Sequence, residues 1–157
     1  MPRRAWIVLG SDHAGFRIKQ FIEGLLAAKG YRVEDVGTWS TASVDYPDFA
    51  EKLALRVRAG RGRKGILTCG TGIGASIAAN KVPGIRAALV CSARDARLSV
   101  EHNNANVLVL GGRPFERALT RRIVTTWLRS SFLGGRHLRR VRKIAAIEAR
   151  FLGRGRR

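Results

Sequence analysis

Five short apolar runs rich in β-branched residues alternate along the chain with longer segments whose apolar residues recur every three or four positions. The runs are AWIVLG (5–10), YRVEDVG (31–37), GILTCG (65–70), IRAALV (85–90) and VLVLGG (107–112), each ended by glycine or a polar turn. Runs of this kind read as strands. In FRIKQFIEGLLAAKG, Phe16, Ile18, Phe21, Ile22, Leu25 and Leu26 keep a helical spacing until Gly30 stops it. Pro47 suits the first position of a second helix, ARDARLSVE reads as another, and FERALTRRIVTTWLRSSF and HLRRVRKIAAIEARFL supply two more. Strand alternating with helix predicts an α/β fold: a Rossmann-like, doubly wound, five-stranded parallel sheet with helices on both faces. Ligands of such sheets bind beyond the carboxyl ends of the strands, where Asp12, His13, Cys69, Gly70 and Cys91 fall.

A chain of 157 residues has the size of one domain with a real core. The expected unit is 1–152, with GRGRR (153–157) as a frayed basic tail. Two cysteines are too few for a disulfide framework and point to a reducing, cytoplasmic setting. The apolar run after the basic start is cut short by Gly10, Ser11 and Asp12, too early for a secretory signal, and no membrane span is legible. The formal net charge is +19, and residues 113–157 alone hold fourteen basic against two acidic residues, or +12. Such an excess favours phosphorylated small molecules or polyanions, and a solvated basic face explains part of it.

The stretch ILTCGTGIGASIAANK (66–81) places a thiol at the mouth of a glycine loop. It is no P-loop, because no Gly-Lys-Ser/Thr follows, and no dinucleotide fingerprint, because the glycines alternate and follow the third strand. With Ala75 at the sixth place it also lacks the Cys-x5-Arg phosphatase spacing. Gly70, Gly72 and Gly74 can instead turn backbone N–H groups inward and form an anion hole, which lowers the thiol pKa and stabilises charge on a substrate oxygen. Cys69 is expected to be an exposed strand-end thiol that carries chemistry; the other reading is a buried small hydrophobe. His13, His102 and His137 all stand among polar neighbours, in SDHAG, EHNNAN and GGRHLRR. Arg136 and Arg140, four apart on a helix, can grip one phosphate, although a solvated helix face has the same spacing.

Taken together, GSDHAGF, GTWSTASVDYPDFA, ILTCGTGIGASIAANKVPGIRAALV, EHNNANVLVLGGR and GGRHLRRV resemble the RpiB/LacAB sugar-phosphate isomerase family over roughly residues 5–150. The resemblance implies an aldose–ketose isomerase of the pentose phosphate pathway that interconverts ribose 5-phosphate and ribulose 5-phosphate. It also implies no cofactor and no metal, and a homodimer, sometimes paired into a tetramer, with active sites shared at the subunit interface. By position, Cys69 matches the family's base, Thr71 the hydroxyl that shuttles protons, and His102 the group that opens the furanose. Asp12, His13 and Asn103 match residues lining the sugar. Gly70, Thr71, Gly72, Ile73 and Gly74 match the enediolate-binding loop, and Arg113, Arg136 and Arg140 the phosphate grip, with His137 a further candidate. Some relatives use a glutamate at the place of Ala75 in this chain, which leaves Cys69 as the base on offer.

Three other readings stand beside this one. Relatives acting on allose 6-phosphate or galactose 6-phosphate share the motifs. CSARDAR gives Cys91 and Arg97 a Cys-x5-Arg spacing, but without a glycine to turn its amides inward. The basic C-terminal third suggests nucleic acid, yet no binding motif or aromatic platform accompanies it, so neither a specific nucleic acid nor a membrane partner is expected.

Overall fold

The structure, a computed structural model, describes residues 6–60 and 62–152. The tail expected at 153–157 lies outside the described residues. The strands are β1 (Trp6–Ser11), β2 (Arg32–Asp35), β3 (Lys64–Cys69), β4 (Ala87–Leu89) and β5 (Val107–Gly111). The helices are α1 (Phe16–Ala28), α2 (Tyr46–Ala59), α3 (Ile73–Ala79), α4 (Ala93–Asn103), α5 (Arg117–Arg129) and α6 (Gly135–Leu152). All strand pairs are parallel, in the order β2-β1-β3-β5-β4, which is the expected doubly wound sheet.

Because side chains alternate along a strand, each apolar run feeds two cores. Ile7, Leu9, Ile66, Leu108 and Leu110 face α1, α4 and α5, meeting Ile22, Leu26, Val100, Val124 and Trp127. Val8, Leu67, Val107 and Val109 face α2 and α3, meeting Leu53, Val57, Ala75 and Ala79. Burial on both faces explains why the strands read as unbroken apolar runs. Each fully buried Leu, Ile or Val contributes about 1.5–3 kcal/mol. Helix α6 packs on α4 and buries only His137 and Val141 of its own residues. Among the described residues no helix is long and apolar enough to cross a membrane.

Several boundaries differ from expectation. Tyr46, not Pro47, opens α2, with Asp45 at the N-cap and proline in the second place. Helix α4 continues through His102 and Asn103 until Asn104, in the left-handed region at φ 49°, turns the chain. The strand ends are held tightly. A Cβ at Gly15 would lie 2.3 Å from the backbone carbonyl of Thr68, whose hydroxyl donates to the Gly15 carbonyl at 2.8 Å. Lys19, buried in α1, pairs with Asp35, whose Oδ1 accepts the Gly37 N–H at 2.8 Å. That pair anchors the loop leaving β2.

Candidate active site

Strands β1 and β3 are neighbours with Ser11 opposite Thr68, so Asp12 and Cys69 emerge side by side from their carboxyl ends. The Cys69 Sγ donates to Asp12 Oδ2 at 3.1 Å, and Asp12 Oδ1 accepts the Gly15 N–H at 2.9 Å. Both side chains are buried. Two expectations are corrected here. Cys69 is not exposed, at 7% accessibility, whereas Cys91 is. Its pKa is also raised from the ordinary 9.0, first by burial, then by the hydrogen bond and charge of Asp12. The Gly72 and Gly70 amides pull the other way, as the glycine loop suggested, but do not prevail.

The loop needs its glycines for space as well as for turning. Gly72 has φ +79°, and a Cβ there would meet Leu89 Cδ1 at 2.6 Å. At Gly74 a Cβ would come 2.5 Å from the Tyr46 ring. Tyr46 therefore roofs the loop, a role the sequence reading missed; its only signal was DYP just before an apolar helix. Thr71 is exposed, and its Oγ1 accepts the Ile73 N–H at 3.3 Å. Thr71 and Arg113 line one cleft of about 320 Å³, together with Cys91 and Leu110. His13 Nδ1 lies 3.2 Å from both the amide nitrogen and the carbonyl oxygen of Val44, which fixes the ring against the β2–α2 loop.

A second cluster forms where α4 meets α6. The His102 and His137 rings stack in parallel, 4.1 Å between centroids and 8° between planes. His137 is buried, and its pKa lies below the ordinary imidazole value, first through burial, then through the charges of His102, Arg136 and Arg140. Arg136 and Arg140, the pair read from the sequence as a phosphate grip, thus both lie close enough to His137 to act on its charge. Asn103 follows on the last turn of α4, with its carbonyl accepting from Arg86 Nε at 3.1 Å. Among the described residues no hydrogen bond or ion pair joins this cluster to the Cys69 loop.

A family model described as Ribose/Galactose Isomerase matches residues 7–144. The chain belongs to that family. Ribose-5-phosphate isomerase B of Escherichia coli (strain K12) is 47% identical over 144 residues, covering 92% of this chain and 97% of the relative. Clostridium thermocellum ribose-5-phosphate isomerase B superposes with a TM-score of 0.91 at 51% identity, covering 93% of this chain and 99% of the other. The Mycoplasma genitalium isomerase, solved with bound ribulose-5-phosphate, has a TM-score of 0.87 at 42% identity, with 92% and 96% coverage.

The phosphatase spacing fares differently within this isomerase fold. Arg97 does not turn back to Cys91: it pairs along α4 with Glu101 at 3.1 Å. Among the described residues no group of three or more His, Cys, Asp or Glu is placed to hold a metal ion.

Proposed function

We propose that this isomerase interconverts ribose 5-phosphate and ribulose 5-phosphate, using Cys69 as base and two sites shared between the subunits of a homodimer. The observation that carries the reading is the Cys69–Asp12 hydrogen bond at the mouth of the glycine loop. A thiol becomes a competent base only as thiolate, and the Asp12 carboxylate is the acceptor already in place for its proton. His102 takes the proton of the sugar's O1 hydroxyl and supplies one to the ring oxygen, so that the C1–O4 bond breaks and the aldehyde forms. The Cys69 thiolate then removes the C2 proton, leaving a cis-enediolate whose oxygens lie against the Gly70–Gly74 amides. Thr71 passes the hydroxyl proton from O2 to O1, and Cys69 returns its proton to C1. Asp12, His13 and Asn103 hold the sugar hydroxyls, and Arg113, Arg136 and Arg140 hold the phosphate. The atoms balance without an external oxidant, so the proposal includes no cofactor.

Exposed apolar residues support a site completed by a second copy: Ile73 and Ile77 on α3 and Ile144, Ile147, Phe151 and Leu152 on α6, the last four lining a groove of about 670 Å³. The substrate assignment is supported by the relatives' names and by the Mycoplasma complex. Turnover of ribose 5-phosphate, allose 6-phosphate and galactose 6-phosphate, compared at equal concentration, tests it. The pentose should have the highest kcat/KM, and a preference for either hexose would overturn the assignment.

A further inference from the structure

The reaction steps above leave one buried titratable side chain in the second cluster without a task. His137 lies at the start of α6, yet its ring is spent on a face-to-face contact with His102. The His102 ring has little else to orient it: among the described residues no hydrogen bond reaches its side chain, and the stack is its one directional contact. His137, by contrast, is well anchored. Its N–H donates to the Gly134 carbonyl at 3.0 Å, and Gly134 and Gly135 take φ values of 66° and 52° to make that turn. One residue earlier, the Leu133 N–H donates to the carbonyl of Glu101 at 3.1 Å, tying the entry of α6 to the helical turn that carries His102. The charged groups around the pair are Arg136 and Arg140 on α6; Glu101 on α4 is engaged with Arg97.

We propose that His137 is a positioning residue for ring opening: its imidazole face holds the His102 ring at the angle where it meets the sugar's ring oxygen. The inference rests on the assignment of ring opening to His102. A neutral imidazole suits this task better than a third cation on the phosphate would, and burial between two arginines keeps His137 neutral. Stacking restrains ring rotation while leaving both nitrogens of His102 open to the substrate.

The chemistry of the two sugars separates ring opening from proton transfer. Ribulose 5-phosphate cannot close a five-membered ring, because its O5 carries the phosphate, so initial deuterium uptake at its C1 in heavy water reports the Cys69 step alone. Turnover of ribose 5-phosphate requires both steps. His137→Gln should lower kcat on ribose 5-phosphate about ten-fold, one decade of the roughly two to four that a positioned acid–base group supplies. KM and C1 exchange should stay near the parent values. His137→Phe, which keeps a flat ring against His102, should recover most of the loss, and His137→Leu, which fills the space with no ring, should match His137→Gln if the polar variant fails to fold. Equal losses in turnover and exchange, a raised KM with unchanged kcat, or a phenylalanine variant as poor as leucine would overturn the inference. His102→Asn is measured alongside: if it loses ring opening selectively while the His137 variants do not, only the stacking inference fails. If His102→Asn shows no selective loss, the ring-opening assignment fails and takes the inference with it.

Discussion

The Cys69 thiol donates to the Asp12 carboxylate at 3.1 Å, and after burial this contact is what raises the thiol pKa most. Removing that carboxylate charge should therefore separate reactivity from turnover. Asp12→Asn is expected to lower the Cys69 pKa and speed its alkylation by iodoacetamide at neutral pH, while slowing isomerisation because the proton acceptor is gone. Slower alkylation in the variant would refute the assignment of Asp12 as the raising partner.

The raised thiol pKa also fixes the sign of the pH dependence. A base that must lose a proton works better as pH rises, so kcat/KM should still be climbing on the alkaline side near the ordinary thiol value of 9.0. The folded state prefers the neutral thiol, so its contribution to stability is complete below 9.0 and is lost as pH rises through the higher folded value. A kcat/KM profile that is flat from neutrality to pH 9 would remove Cys69 ionisation from the rate.

Cys69→Ala should abolish isomerisation and leave the fold intact, since the sulfur fills little volume. Cys91→Ala should keep most activity, as its exposed thiol has no paired arginine. Circular dichroism and turnover of both variants check the pair of outcomes, and the reverse pattern would restore the Cys91 reading.

If the two clusters complete each other across a dimer, inactive Cys69→Ala chains co-expressed with weakly binding Arg140→Ala chains should give, at substrate concentrations below the raised KM, more activity than either parent alone. Each mixed dimer then carries one intact site. Loss of a charge-assisted phosphate contact costs on the order of 1.5–3 kcal/mol, enough for Arg140→Ala alone to raise KM about ten-fold or more. Verified mixed dimers with no recovery would place both clusters in same-chain roles.

Gly15→Ala tests the close approach of α1 to β3. With the new methyl 2.3 Å from the Thr68 carbonyl, backbone must shift, at a cost of about 1–3 kcal/mol. A lower melting temperature in thermal denaturation is expected, whereas Gly24→Ala, inside α1 with nothing within 4 Å, should hold or raise it.

The strands, most helices and the sheet type were legible because period-two and helical apolar patterns are local and the strands are buried on both faces. What escaped was set by neighbours distant in sequence. The burial of Cys69 follows from α2 and α3 packing over the strand ends, and its raised pKa from that burial first and then from Asp12, 57 residues away. Tyr46 over Gly74 and His137 on His102 are likewise contacts between elements, so neither motif announced its partner. The four-residue step of Arg136 and Arg140 was visible, with His137 beside them, but only the packing of α6 on α4 buried that imidazole against His102.

The position of β3 between β1 and β5, in the middle of the sheet, has a dynamic consequence. Amides of a central strand exchange with solvent only when large parts of a protein open, so Cys69 rides on a strand expected to exchange slowly. Helix α6, which within one subunit buries only two side chains of its own, opens more readily than this strand. In the proposed mechanism, substrate entry and product release then fall to the histidine–arginine end, which can part from a stationary thiol. Hydrogen exchange followed by mass spectrometry should resolve this asymmetry as fast exchange in 135–152 and protection in 64–69, with bound phosphate slowing the first and leaving the second unchanged.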